Sequence, residues 1–374
     1  MTADRRFAER LDRVRTAMAE RDVDVTLLSV GADLPWLTGY EAMPLERLTM
    51  LVVPRDGDAV MVVPRLEVPR VVPHPDVFRI VGWEETDDPV ALVAGLAGPA
   101  RRAAIGDTTW SRFLVDLIAQ MPTAAWIRAS EVVGPLRAVK DADEIAGLRR
   151  AAEAVDRIAA ALQSGEIPLV GRTEADVSAE LGRRILAEGH QKVNFAIVAA
   201  GPNAASPHHH PGSTVIQPNQ VVLCDFGGTM ADDDHSVGYC SDITRCVWTG
   251  EPDPEFRRLY DVLQHAQAEA VDAATVGTPA EAVDAVARDL IADGGYDGYF
   301  VHRIGHGIGV EAHEDPYLVG GNAVPLEAGN AFSIEPGIYV PDTWGARIED
   351  IVVATDDGPL PLNRADHDLA VVDR

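Results

Sequence analysis

Asp225, Asp242, His306, Glu335 and Glu349 are the residues of this chain best suited to chemistry. They stand in Val-Leu-Cys-Asp225-Phe-Gly-Gly, Gly-Tyr-Cys-Ser-Asp242-Ile-Thr-Arg, Arg-Ile-Gly-His306-Gly-Ile-Gly, Ser-Ile-Glu335-Pro-Gly-Ile-Tyr and Ala-Arg-Ile-Glu349-Asp-Ile-Val-Val. Taken singly, Asp225 before Phe-Gly-Gly reads as a turn former, and Glu335 before Pro-Gly as a solvated strand end. The set reads differently. Asp225 follows the apolar run 221–224, Glu335 follows 331–334, and Glu349 precedes 351–354. An acid in such a strand sits on its solvated face or pairs with positive charge. Four clustered carboxylates without a cation would push one another's pKa values up. Two divalent ions would balance them and leave room for a hydroxide. Hard oxygens, one nitrogen and no thiolate favour Mn²⁺, Co²⁺ or Fe²⁺ and admit Zn²⁺. A paired site of this kind holds its ions roughly 3.5–4 Å apart and activates a bridging water. The expected cofactor is therefore two divalent ions, with Mn²⁺ the first choice.

Further histidines surround this set. His302, His306 and His313 share one segment, and Gly305, Gly307 and Gly309 within it permit close backbone approach. His208, His209 and His210 stand between Pro207 and Pro211. Composition alone leaves a solvated loop, adventitious metal binding and a functional role all open for that tract.

These residues need elements to position them. At 374 residues the chain suits two domains. Residues 5–20 carry helical periodicity. Strands are predicted at 25–30, 48–53, 59–63, 78–81 and 103–105, and helices at 88–97 and 110–121. Asp56-Gly57-Asp58 is a turn signal between two of the strands. The segment 31–39 reads as a loop, and its Trp36 suits either a pocket wall or the core of its own domain. A composition shift near Gly134-Pro135 places the boundary at 139/140, giving domains 1–139 and 140–374. The second half is predicted to hold helices at 141–163, 173–188, 254–275 and 279–293, and strands at 193–200, 219–229, 237–249, 331–340 and 346–354. Thr278, Pro279 and Glu281 read as N-cap, first turn and capping box of the last helix. The fold class expected is an α/β amino-terminal domain followed by an α+β catalytic domain.

Composition excludes several partners. The net charge of −27, from 32 basic and 59 acidic residues, argues against nucleic acid or an anionic membrane. No run of eighteen apolar residues suggests a membrane span. The polar start lacks the apolar run of a signal peptide, so a cytoplasmic location is expected. Cys224, Cys240 and Cys246 are odd in number and lack Cys-x-x-Cys spacing, so they read as buried small hydrophobes.

The motifs of the second half resemble the pita-bread metallopeptidases, a group that includes aminopeptidase P, prolidase and methionine aminopeptidase. His-Gly-Ile-Gly followed by His-Glu, and then Glu-Pro-Gly, carry the resemblance in order and approximate spacing. The first domain is similar to the creatinase-type amino-terminal domain of the Xaa-Pro branch. The resemblance implies that Asp225 binds one metal, Asp242 and Glu349 bridge two, and His306 and Glu335 hold the other. It implies a catalytic-pocket role for His208, in preference to its two neighbours. It also implies contact of His313 with the scissile peptide, and substrate-pocket positions for His302 and Arg347, the latter facing a proline carboxylate. The activity implied is hydrolysis of the bond before proline in Xaa-Pro dipeptides or short peptides. In it a metal-bridged hydroxide attacks and Glu335 moves the proton. A homodimer is implied as well, with the Trp36 loop near a neighbouring subunit's site. A non-peptide amidohydrolase or lyase on the same fold, or a non-catalytic binding protein, is the alternative. The stretch 230–237, with His235, is longer than in many relatives and reads as a surface hairpin tip.

Overall fold

The computed structural model describes residues 3–231 and 237–372. His235 and the rest of 232–236, expected at a hairpin tip, lie outside the described residues. The chain divides into two compact units, one of residues 3–137 with Val237 and the other of Ala138–Ala231 with 238–372.

In the first unit, α1 (Ala3–Glu20) buries Phe7, Leu11, Val14 and Met18, the apolar side of a 3.6-residue period. After it come β1 (Val25–Leu28), α2 (Asp33–Thr38), β2 (Met50–Pro54), β3 (Ala59–Pro64) and β4 (Phe78–Trp83). Then follow α3 (Pro89–Ala97), β5 (Arg102–Ile105), α4 (Ser111–Gln120), β6 (Ala125–Arg128) and α5 (Ser130–Ala138). The strands form one mixed sheet in the order β4-β3-β2-β1-β5-β6. Val25, Leu27, Val52 and Val62 from the sheet pack with Phe113 and Leu117 of α4. The segment expected as a loop at 31–39 is the short helix α2. It ends at Gly39, whose φ of 68° supplies the left-handed cap. Trp36 on that helix is only 1% exposed, with the Arg10 guanidinium 4.7 Å from its ring centroid. It is a packed residue of its own unit, the second of the two readings that the sequence left open.

The second unit opens with α6 (Ala142–Gln163) and α7 (Glu174–Ala187). Asp141 with Glu144, and Thr173 with Asp176, form capping boxes at their starts. There follow β7 (Lys192–Ala200), β8 (Gln220–Ala231), β9 (Gly238–Cys240), β10 (Ile243–Thr249), α8 (Pro254–Ala273) and α9 (Ala280–Ile291). Next are β11 (Gly305–Gly307), β12 (Glu314–Leu318), β13 (Ala331–Ile334), β14 (Gly337–Val340) and β15 (Trp344–Arg347). The unit closes with β16 (Asp350–Thr355), β17 (Gly358–Pro361) and β18 (Ala370–Val372). One sheet runs β18-β10-β8-β7 with β9 beside β8, a second runs β12-β11-β13-β16-β17, and β14 pairs with β15.

Strand alternation divides the core of this unit. Val222, Cys224 and Phe226 face α6 and α7, packing on Val155, Ile158, Leu181 and Ile185. Val221 and Leu223 face the other way, toward Phe256 and Leu263 of α8 and Phe332 and Val352 of the second sheet. Helices segregated from mostly antiparallel sheets, with β10 and β18 the parallel pair, give the α+β class expected for this half, and the first unit is α/β as expected. The three cysteines are free and buried, as expected.

The cap expected on α9 is not formed. Pro279 occupies the cap position, and Thr278 Oγ1 bonds Thr275 Oγ1 at 2.9 Å instead. The N–H groups of Ala280 and Glu281 are satisfied by the carbonyls of Val324 and Asn322. A neighbouring segment thus does what a capping side chain would do.

Candidate active site

Three strands that read as continuous in the sequence are each broken at an acid. Ser241 and Asp242 separate β9 from β10, Glu335 and Pro336 separate β13 from β14, and Ile348 and Glu349 separate β15 from β16. Pro336 has no N–H to give the ladder, which fits the break at Glu335. Asp225 alone stands inside an unbroken strand, β8, opposite Ile197 on one side and Thr244 on the other. Gly227 lets the segment of Asp242 come near it, since a Cβ there would lie 2.0 Å from the Ser241 carbonyl oxygen. His306 in β11 is flanked by Gly305, where a Cβ would meet the Ser333 carbonyl oxygen at 1.9 Å. A Cβ at Gly307 would likewise meet the Asp315 carbonyl oxygen at 2.2 Å, so the reading of Gly305 and Gly307 as sites of close backbone approach holds.

These elements bring all five residues to one cavity of about 570 Å³, also lined by His208, His302, Arg303, His313 and Arg347. Asp242, His306 and Glu349 each present a donor atom within 4.8 Å of the others. His306 Nε2 lies 3.2 Å from Glu335 Oε1 and 3.9 Å from Asp242 Oδ2. Its Nδ1 lies 3.1 Å from the Gly307 carbonyl oxygen. On Nε2 the ring proton is donated to Glu335; on Nδ1 it serves the Gly307 contact and leaves the Nε2 lone pair for a metal.

Two observations test whether this set suits a metal. Asp225 Oδ1 and Asp242 Oδ1 are buried with no hydrogen-bond partner among the described residues, and such orphans are rare in native interiors. The donors are oxygens with a single imidazole nitrogen, the chemistry of Mn²⁺ and its neighbours. The residues therefore fit divalent metal. The electrostatics agree. Burial, then repulsion from Glu349, Asp225 and Glu335, pushes Asp242 well above the ordinary carboxylate range. Burial, then Glu335 and Asp225, does the same to Glu349. Burial opposes ionisation of Glu335 too, but its hydrogen bond from His306 and the positive charges around it hold it down to about 2.

A second layer of contacts fixes the acids. Thr244 Oγ1 donates to Glu349 Oε2 at 2.7 Å and accepts from Arg347 Nε at 3.1 Å. Arg347 Nη2 donates to Asp225 Oδ2 at 2.6 Å, and Nη1 donates to the Tyr339 hydroxyl at 2.7 Å. Both terminal nitrogens also reach the Pro207 carbonyl at 3.4 Å. Tyr339 continues the chain to His302 Nε2 at 2.8 Å, while His302 Nδ1 meets the Arg303 carbonyl at 2.7 Å. Arg347 was expected to meet a substrate carboxylate. Its donors are instead committed to protein groups, and it is 2% exposed. His313 is exposed and lies with its ring centroid 3.9 Å from that of His306. Of the histidine tract, His208 lines this cavity, whereas His209 Nε2 bonds Glu174 Oε2 at 2.8 Å. His210 is exposed and lines a neighbouring groove.

Sequence reasoning passed over Thr244, Tyr339 and Arg303. Thr244 follows Asp242 by two residues, the strand period that puts side chains on one face. Tyr339 lies within the quoted Glu-Pro-Gly-Ile-Tyr motif. Arg303 sits between two assigned histidines with only its charge as a signal.

Residues 146–356 match the model of metallopeptidase family M24, and residues 10–139 match the Creatinase/Prolidase N-terminal domain. The chain is 42% identical to a dipeptidase PepE of Mycobacterium ulcerans of known structure, with a TM-score of 0.92 over 100% of both chains. A prolidase from Thermococcus sibiricus superposes with a TM-score of 0.90 at 33% identity, over 98% of this chain and 99% of the other. An Xaa-Pro dipeptidase of Lactobacillus delbrueckii subsp. lactis is 35% identical over 97% of this chain and 98% of its own length. The second unit thus has the pita-bread fold of the prolidases, and the first is a creatinase-type domain. Both halves match in order and nearly end to end, and the chain belongs to metallopeptidase family M24.

Proposed function

We propose that this chain hydrolyses the amide bond before proline in Xaa-Pro dipeptides. Two divalent ions would serve it, Mn²⁺ first among the candidates. The observation that carries the reading is the single cavity where Asp225, Asp242, His306, Glu335 and Glu349 meet, with two carboxylate oxygens buried and unbonded. The named activities of the prolidase and Xaa-Pro dipeptidase relatives supply the substrate class. Asp242 and Glu349 would bridge the ions, Asp225 would complete one, and His306 and Glu335 the other. Bound there, the ions supply a water nucleophile at neutral pH and polarise the scissile carbonyl.

The chain's own groups do the rest. Glu335 Oε1, held by Ser333 Oγ at 3.1 Å and His306 Nε2 at 3.2 Å, takes the proton of the attacking water and passes it to the proline nitrogen. His313, exposed beside His306, donates to the developing oxyanion. His208 orients the leaving side. Arg347 acts through other groups: it fixes Asp225, Thr244 and the Pro207 carbonyl beside His208. His302 likewise works through Tyr339.

Among the described residues no helix is long and apolar enough to cross a membrane. A cytoplasmic setting, where three free thiols persist, and a two-fold homodimer, the commonest closed assembly, complete the proposal. Light scattering at assay concentration tests the dimer. The chemistry is tested by product analysis on Ala-Pro, Met-Pro, a longer Xaa-Pro peptide and a non-peptide amide, each with added Mn²⁺. Release of free proline from the dipeptides is expected. Cleavage of the non-peptide amide alone would replace the reading with that of an amidohydrolase.

A further inference from the structure

His190 stands in the turn between α7 and β7, is 4% exposed, and does not line the cavity. Its Nδ1 lies 3.2 Å from the Ile185 carbonyl oxygen, and its Nε2 lies 2.9 Å from Ser241 Oγ. A carbonyl only accepts, so the ring proton sits on Nδ1 and Nε2 carries a lone pair. The Ser241 hydroxyl then donates to Nε2. Burial pushes His190 below the ordinary histidine range and so favours this neutral ring.

Ser241 is fully buried and directly precedes Asp242 in the break between β9 and β10. Gly228 holds it from the other side. The Gly228 N–H donates to Ser241 Oγ at 3.1 Å, and the Ser241 N–H donates to the Gly228 carbonyl at 2.9 Å. Gly228 shares β8 with Asp225. The two glycines that follow Asp225-Phe226 make these contacts possible. A Cβ on Gly227 would lie 2.0 Å from the Ser241 carbonyl oxygen. One on Gly228 would lie 2.5 Å from the Lys192 carbonyl oxygen and 2.9 Å from Cδ2 of the His190 ring. His190, Ser241 and Gly228 thus link the strand of Asp225 to the break that carries Asp242.

We propose that His190 is a positioning residue of the metal centre: it holds Ser241, and through Ser241 and Gly228 it sets the spacing of Asp242 from Asp225. The inference rests on the two-ion reading above and deepens it. In that reading Asp225 and Asp242 share one ion, while His306 and Glu335 hold the other. Losing the Ser241–His190 contact frees Asp242 to shift away from Asp225, so the ion that those two share is the one weakened. The other ion keeps His306, Glu335 and Glu349 in place.

The test is a calorimetric Mn²⁺ titration of the wild-type protein, His190→Gln, His190→Asn and Ser241→Ala. Glutamine brings an accepting carbonyl to the place of Nε2, whereas asparagine reaches only the place of Nδ1. The wild-type protein should take two ions. In His190→Asn one of them should bind roughly 10- to 100-fold more weakly, the usual effect of losing a group that orients a ligand, with the other little changed. Ser241→Ala keeps the imidazole, removes only the hydroxyl and should act alike, which decides the matter if His190→Asn does not fold. His190→Gln should bind both ions nearly as the wild type does. Two ions bound at wild-type strength by His190→Asn and Ser241→Ala would overturn the proposal and leave the two-ion reading intact. So would equal weakening in His190→Gln and His190→Asn, which would mean that the ring only fills space. Equal weakening of both ions would remove the link to the Asp225–Asp242 spacing and overturn it as well. A wild-type protein that takes no Mn²⁺ would sink the two-ion reading itself, and this proposal with it.

Discussion

Thr244 and Glu349 are joined twice. The Thr244 hydroxyl donates to Glu349 Oε2 at 2.7 Å, and the two backbones form an isolated antiparallel bridge, with the Glu349 N–H reaching the Thr244 carbonyl at 3.2 Å. The bridge ties β10 of one sheet to the break that precedes β16 of another. Asp242 lies just before β10 and Glu349 lies in that break, so one contact sets the spacing of two candidate bridging ligands.

Thr244→Val keeps the shape and removes the hydroxyl. It strands Glu349 Oε2 and Arg347 Nε, which should cost about 1–3 kcal/mol of stability. Mn²⁺ affinity, measured by titration, should fall roughly 10- to 100-fold, the usual effect of losing a group that orients a ligand. Unchanged affinity would show that Thr244 only packs.

The three neighbouring histidines should part company. His208→Ala should lower kcat/KM by roughly 100-fold or more with little effect on Tm. His209→Ala should act mainly on stability, because it removes a partner of the buried Glu174. His210→Ala should be mild in both. A larger kinetic loss in His210→Ala than in His208→Ala would reverse the assignment.

The division between what the sequence revealed and what it hid has physical causes. The five candidate ligands were legible because acids interrupt apolar runs, and charge inside such runs demands a partner. The break at 346–354 was not legible, because Ile348 carries no turn signal; at 237–249 Ser241-Asp242 was a turn signal and was read through. At 331–340, Pro336 was such a signal and was read through. Trp36 could not be placed from its loop-like flanks, since the Arg10 stack that buries it comes from 26 residues away. The role of Arg347 could not be read because its partners, Asp225 and Tyr339, are fixed by tertiary structure. Thr278 looked like a cap, but caps compete with any backbone carbonyl the fold brings near.

Arg245 and Asp350 form a pair at 2.7 Å, both essentially without exposure. Arg245 also holds the carbonyls of Glu349 and Ala365. Arg245→Met leaves Asp350 buried against His367 and Gln267 alone. Urea unfolding should show a loss of about 3–5 kcal/mol. Arg245→Met combined with Asp350→Leu should recover part of it. A double variant as weak as the sum of the single ones would contradict the pairing.

Glu174 predicts an acid limb. Burial raises its pKa most, but hydrogen bonds from Asn203, His209 and the Ala200 and Gly212 N–H groups outweigh that and leave it lowered. A lowered folded-state value contributes stability above the unfolded pKa, about 4.3, and loses it as pH falls through the folded value. Tm of wild type should therefore fall more steeply than that of Glu174→Gln below about pH 4.3. Parallel curves would exclude Glu174 as a contributor.

The central claim is a metal pair held by the carboxylates at the strand breaks, and elemental analysis tests it most directly. After loading with Mn²⁺ and gel filtration, the wild-type protein should retain two ions per chain. Asp242→Ala and Glu349→Ala, each lacking a bridge, should retain essentially none while staying folded by circular dichroism. A wild-type protein that carries no metal after loading, or bridge variants that keep both ions, would contradict the account.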